Sequence, residues 1–167
     1  ISQGNAIVVT DVGQHQMWAA QYICHRRPRS FLTSGGLGTM GFGLPAAIGA
    51  KFACPERLAI CIAGDGGIQM NFQELVVAVE HRLAVKVVIL NNAHLGMVRQ
   101  WQQMFYQRNY SAVILKPNDR PVNERLPEGG GEYLPDFVKL AQAHGARASR
   151  VTRAADVPNA LAEAFAS

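Results

Sequence analysis

The sequence predicts an α/β domain, with a doubly wound, mainly parallel sheet flanked by helices, on three observations. Short apolar runs rich in β-formers alternate with longer stretches of helical periodicity. Polar and glycine-rich turns follow those runs, where an open parallel sheet collects its ligands. The 167 residues, 49% hydrophobic, suit one domain with a sizeable core and are too few for two ordinary ones, so residues 1–167 are read as a single domain.

Ala6 to Thr10 reads as the first strand and Gln14 to Ile23 as the helix after it. Leu58 to Ala63 and Val85 to Leu90 are further strands, followed by helices over Asn71 to Arg82 and Leu95 to Tyr106. Phe31-Leu32-Thr33 is at most a short strand. Asn71 is a candidate N-cap, with Glu74 placed to reach back as in a capping box, and Leu75, Val76 and Val79 make one apolar stripe. Residues 113–132 break into Lys116-Pro117-Asn118-Asp119-Arg120-Pro121 and Pro127-Glu128-Gly129-Gly130-Gly131-Glu132, which predicts a long flexible loop. Pro135 suits the first turn of a helix ending at His144-Gly145; a short strand near Ala148 to Val151 and a helix over Asp156 to Ala166 follow.

Mean hydropathy is +0.02, and no apolar run approaches the roughly 18 residues of a membrane helix, so a membrane-spanning protein is not expected. The net charge of +4 and pI near 9.2 invite a nucleic-acid reading, but the only tight basic cluster is His25-Arg26-Arg27-Pro28-Arg29, without an aromatic ladder or helical face. It reads as a solvated loop, and the modest positive field suits an anionic small molecule. Cys24, Cys54 and Cys61 are odd in number and lack CxxC spacing, as for reduced thiols in a cytosol-like compartment. The start at Ile1-Ser2-Gln3-Gly4 has no basic and apolar leader and reads as part of something longer.

Three turns lie just past strands: Asp11-Val12-Gly13-Gln14-His15-Gln16, Gly64-Asp65-Gly66-Gly67 and Asn91-Asn92-Ala93-His94-Leu95-Gly96-Met97. Glycines flanking Asp65 let the backbone approach a ligand and leave N–H groups to face an anion. Asn92 follows Asp65 by 27 positions, the length of one turn, one helix and one strand, so the two strand ends are expected side by side. A carboxylate, an amide oxygen and a backbone carbonyl make a hard oxygen half-shell suited to Mg²⁺ completed by phosphate oxygens and water.

Blander readings stand beside this one. Asp65 alone reads as a turn residue and Asn91-Asn92 as a helix cap. Gly36-Leu37-Gly38-Thr39-Met40-Gly41 matches GxGxxG, but no acidic residue ends a strand about 20 residues later, as a dinucleotide site requires. No Gly-Lys-Ser/Thr is present for a P-loop. His25, His81 and His144 read as surface or satisfied histidines, whereas His15 stands out by following a strand end. Met40, Met97 and Trp101 could each be core at helical spacing.

Gly64-Asp65-Gly66 followed by Asn91-Asn92 resembles the GDG…NN fingerprint of thiamine-diphosphate enzymes. Val12-Gly13-Gln14-His15-Gln16-Met17-Trp18-Ala19-Ala20, the stretch from Ser34-Gly35-Gly36 to Pro45-Ala46-Ala47, and Leu95-Gly96-Met97-Val98-Arg99-Gln100-Trp101 resemble the C-terminal domain of the acetohydroxyacid synthase (acetolactate synthase) catalytic subunit. The likeness is dense over residues 6–112 and looser over 133–166. It implies the diphosphate-binding domain of the thiamine-diphosphate-binding fold.

The resemblance implies that Asp65, the Asn92 side chain and the His94 carbonyl ligate Mg²⁺. Gln14 and His15, with backbone groups of Gly66 and Gly67, would contact the diphosphate, Gly38 and Met40 would support the aminopyrimidine and the bent cofactor, and Gly64, Leu95, Gly96 and Met97 would complete the cofactor-binding set. Met97, Val98 and Trp101 would shape the substrate pocket. The implied reaction decarboxylates pyruvate on the cofactor and joins the two-carbon unit to a second 2-keto acid, pyruvate or 2-ketobutyrate. The products, acetolactate and acetohydroxybutyrate, are precursors in branched-chain amino-acid (valine and isoleucine) biosynthesis.

In the family the activating glutamate lies on an N-terminal domain of the partner subunit. None of Glu56, Glu74, Glu80, Glu124, Glu128, Glu132 and Glu163 sits in a resembling segment, so the chain by itself is expected to be inactive, with no catalytic residue assigned. FAD is expected only in the full-length enzyme, on a middle domain. The resemblance further implies a homodimer or tetramer, a regulatory small subunit, no nucleic-acid or membrane partner, and a cytoplasmic location or, in a eukaryote, an organellar stroma. The Lys116–Glu132 segment is longer and richer in Gly and Pro than the family pattern, and the family's final strand and C-terminal lid are not matched. Alternative readings are a pyruvate oxidase or sulfoacetaldehyde acetyltransferase type of enzyme, and a non-catalytic cofactor-binding or subunit-interaction module.

Overall fold

Apolar runs bounded by turns form four strands, β1 (Ile7–Thr10), β2 (Phe31–Thr33), β3 (Ala59–Gly64) and β4 (Val85–Leu90), in a computed structural model that describes residues 4–115 and 134–167. They pair in the order β2-β1-β3-β4, and every pairing is parallel. Among the described residues seven helices accompany them: α1 (Gln14–Tyr22), α2 (Gly43–Ala53), α3 (Asp65–Ile68), α4 (Leu75–Glu80), α5 (Gly96–Phe105), α6 (Phe137–Ala143) and α7 (Val157–Ala166). Because β2 and β3 flank β1 on opposite sides, right-handed crossovers place α1 and α2 on opposite faces of the sheet. The doubly wound α/β expectation therefore holds.

Side chains alternate between the two faces. Ile7 and Val9 of β1 and Cys61 and Ala63 of β3 join Leu44, Ala47 and Ile48 of α2 and Leu75 and Ala78 of α4 in one buried cluster. On the other face, the Thr10 and Thr33 hydroxyls hydrogen-bond at 2.7 Å, and Gln16 Nε2 of α1 donates to Thr33 Oγ1 at 2.7 Å. The chain reverses its winding direction between β1 and β3, and at such a switch point the strand ends splay and open a crevice.

Several expectations are corrected. The capping box at Asn71 does not form: Asn71 Nδ2 donates to the Gly41 carbonyl at 2.9 Å, a tertiary bond that takes the amide away from the helix. A 3-10 turn (Phe72–Glu74) precedes α4, whose buried residues are Leu75 and Ala78, while Val76 of the expected stripe faces outward. Asp136 caps α6 in place of a start at Pro135, accepting from the Val138 and Lys139 N–H groups. No strand forms at Ala148–Val151; these residues are exposed, without a ladder partner among the described residues, and Arg150 pairs with Asp136 at 2.9 Å. Helix α2 carries no advance signal, because Gly43, Pro45 and Gly49 read as breakers; Pro45 lies in its first turn, where the missing N–H costs nothing.

The expected 113–132 loop is corrected at its start. Val113 is buried, its carbonyl accepts from Leu95 N–H at 2.8 Å, and Leu115 N–H donates to the Ala93 carbonyl at 2.9 Å. Residues 116–132 of that loop lie outside the described residues. No helix among the described residues is long and apolar enough to cross a membrane.

Candidate functional site

The register pairs Gly64 of β3 with Leu90 of β4, so Asp65 and the Asn91–His94 turn leave the sheet side by side. Asp65 is buried and starts α3. Its Oδ2 accepts from Ala93 N–H at 2.5 Å and its Oδ1 from Gly66 N–H at 3.0 Å. Ala93 adopts φ 60, a left-handed conformation disfavoured for a residue with a β-carbon, and the bond to Asp65 and the Leu115 contact hold it there. Burial pushes the Asp65 carboxyl up from its ordinary range, and the N–H donors of Ala93 and Gly66 counter that only in part. Among the described residues Asp65 has no ion pair, so its charge is met by peptide dipoles alone.

In the adjoining turn Asn92 Oδ1 accepts from His94 N–H at 3.0 Å, and His94 Nδ1 lies 2.7 Å from the Asn92 carbonyl oxygen. No cluster of three His, Cys, Asp or Glu side chains occurs among the described residues. A cation placed here would therefore draw on amide and carbonyl oxygens beside the single carboxylate.

Behind β1 and β3 stands His15, 6% exposed, with Nε2 lacking any partner. The ring hydrogen-bonds the Asp11 backbone, which by elimination engages Nδ1. Burial lowers its pKa against the opposing pull of the Asp11 charge. A β-carbon on Gly64 would come within 3.0 Å of this ring, so the glycine before Asp65 makes room for the imidazole.

A polar cleft of about 390 Å³ opens beside the Asn92 turn, lined by Gln14, Asn92, His94, Gly96, Arg99, Gln100, Gln103 and Met104. A β-carbon on Gly96 would lie 2.4 Å from Gln14 Oε1 and 2.9 Å from Asn92 Nδ2. Glycine is thus what lets the first turn of α5 reach two site side chains at once.

The structure gathers most of the sequence-selected residues at these strand ends. Gln14, Asn92, His94 and Gly96 share the cleft, Asp65 bonds into their turn, and Gly66 lies against Leu95 and within reach of Met40. Gly38, with φ 63, is exposed, and a β-carbon on it would lie 3.9 Å from a Val12 methyl. The free backbone donors expected of the glycine turn are corrected at Gly66, whose N–H is taken by Asp65, and Gly67 is buried against Asp11. Met97, Val98 and Trp101 do not line this cleft; Val98 and Trp101 are 44% and 53% exposed.

Sequence reasoning missed Asp11, 1% exposed, whose carboxylate accepts from the N–H groups of Val12, Gly41 and Gly43. It also missed Arg99, Gln100, Gln103 and Met104. Their positions relative to Gly96 follow helical periodicity, a signal that could have found them.

Comparison with known proteins accords with this geometry. The family model described as "Thiamine pyrophosphate enzyme, C-terminal TPP binding domain" matches residues 11–167. The chain is 50% identical to the acetolactate synthase isozyme 2 large subunit of Escherichia coli (strain K12), over 94% of this chain and 26% of that protein. It is 48% identical to the probable acetolactate synthase 2, chloroplastic, of Oryza sativa subsp. japonica, over 100% of this chain and 24% of that protein. It is also 48% identical to the probable acetolactate synthase large subunit of Methanococcus aeolicus, over 96% of this chain and 24% of that protein. The chain spans about a quarter of the length of these curated relatives. With strand ends that converge on Asp65 and Asn92 and a family match that runs from Asp11 to Ser167, the chain belongs to the C-terminal TPP binding domain family of thiamine pyrophosphate enzymes.

Proposed function

We propose that this domain holds the diphosphate of thiamine diphosphate through Mg²⁺, and that within its complete protein it forms that part of an acetolactate synthase active site. The observation that carries the reading is the buried Asp65 carboxylate, with only N–H partners, meeting the Asn92–His94 turn at the neighbouring strand end. A divalent cation would supply the positive charge this carboxylate lacks. Asp65, the Asn92 amide oxygen and the His94 carbonyl would be its protein ligands. The polar cleft that Gln14 lines supports a fit to the anionic group.

The cofactor, when bound, supplies the nucleophilic carbon and the electron sink for breaking and making bonds beside a 2-keto carbonyl. This chain's residues bind and orient it. Gln14 and, once protonated at Nε2, His15 would hold the diphosphate, Gly64, Gly66 and Gly67 would bring the backbone near it, and Gly38, Met40, Leu95, Gly96 and Met97 would line its remainder. Val98 and Trp101 lie on an exposed stretch of α5, so their role toward pyruvate and 2-ketobutyrate would require a second wall from outside this chain. An N-terminal domain of the same or a partner subunit would supply that wall and the activating glutamate. A dimer or tetramer, a regulatory small subunit, FAD on a further domain, and a cytoplasmic or stromal location complete the reading.

Calorimetric titration of this chain with thiamine diphosphate up to millimolar, with and without Mg²⁺, tests it. Binding should require Mg²⁺ and be lost in Asp65→Ala. No binding by the unaltered chain, or binding that survives that substitution, would overturn the assignment.

A further inference from the structure

The Gln14 carboxamide carries two N–H donors and one acceptor oxygen. Its Nε2 donates to Gln100 Oε1 at 3.0 Å, across 86 positions of sequence, and its oxygen rests against Gly96. One N–H is thereby fixed by Gln100, no bond from the second to another described residue is present, and Gln14 is among the residues that line the cleft. A terminal amide torsion is broad and has little orientation of its own. An amide turned the other way would present its oxygen to an anion and repel it.

We propose that Gln100, half-buried on α5, is a positioning residue: its carbonyl oxygen holds the Gln14 amide so that a donor, and not the acceptor, faces the anionic group of the bound ligand. Gln100 acts through Gln14 and links the first residue of α1 to α5, two elements that converge on the same cleft. The inference rests on the diphosphate reading above and adds a residue to it.

Two measurements separate the contact from the ligand. In the ligand-free chain, Gln100→Leu, which keeps the volume and removes the acceptor, should shift and broaden the Gln14 side-chain amide signals in an NMR spectrum. Unmoved signals overturn the positioning contact whatever the ligand does. In titrations with Mg²⁺ and thiamine diphosphate, Gln100→Leu should weaken binding about fivefold, the range of one oriented hydrogen bond, with an unchanged thermal midpoint. In a Gln14→Ala background the same substitution should have no further effect, and Gln100→Glu, which retains an acceptor oxygen, should restore the native amide signals. Equal losses in both backgrounds overturn the proposal. Failure of the unaltered chain to bind overturns the diphosphate reading and this role with it, while the NMR arm still reports on the contact.

Discussion

Asp11 accepts a hydrogen bond from the Gly43 N–H at 2.9 Å, joining the end of β1 to the first residue of α2. The same carboxylate takes the Gly41 N–H at 3.1 Å, so one buried side chain ties down the loop that carries Gly38 and Met40. Asp11→Ala would strand both donors in the interior. The expected loss is about 3 kcal/mol of unfolding free energy, since each unsatisfied buried group costs roughly 1–3 kcal/mol. Urea denaturation checks it, and a loss below about 0.5 kcal/mol would contradict the anchoring role.

Gly67 is the second half of that arrangement. A β-carbon there would stand 2.3 Å from Asp11 Oδ1, so Gly67→Ala should destabilise by about 1–3 kcal/mol through overpacking. Combined with Asp11→Ala, which removes the obstructing oxygen, the double variant should lose less than the sum of the two single losses in a denaturation double-mutant cycle.

Gly96→Ala separates binding from stability. Alanine favours a helix by roughly 0.5–1 kcal/mol over glycine, yet its methyl would push Gln14 and Asn92 apart. Metal-dependent binding of thiamine diphosphate should fall by about tenfold, on the order of 1.4 kcal/mol, with the thermal midpoint held or raised. Unchanged affinity would remove Gly96 from the cradle.

The buried His15 gives stability a pH dependence of definite sign. Its folded pKa lies below the ordinary 6.5, so the unfolded chain takes up the proton first. The contribution is complete above 6.5 and is lost as pH falls through the folded value. Denaturation midpoints measured between pH 8 and pH 5 should decline at the acid end, and His15→Leu should flatten that decline.

Burial pushes the Cys61 thiol up to about 12, whereas Cys24 is exposed. A thiol reagent at pH 8 should modify Cys24 in the folded protein and reach Cys61 only after unfolding. Rapid labelling of Cys61 in the folded state would show the β3 core to be open.

Apolar runs and turn residues were enough to locate β1, β3, β4, α1, α5 and α7 within a residue or two, because strand and helix periods are local properties of the chain. The adjacency of Asp65 and Asn92 was legible as well, since a single strand–helix–strand unit leaves little choice of neighbour. Other relationships depend on how closely distant backbones approach. The Asp11 bonds to Gly41 and Gly43 span 30 and 32 positions, and the Gln14–Gln100 bond spans 86. Tertiary demand also overrode local preference. Asn71 gave up its cap to bond Gly41, α2 formed through residues that read as breakers, and Val113 became a buried support for the Leu95 turn. Sequence by itself determined the layered α/β plan and which strand ends carry the polar residues. Only the tertiary structure decided which side chains touch there, because orientation within a crevice is settled by packing from elements far apart in the chain.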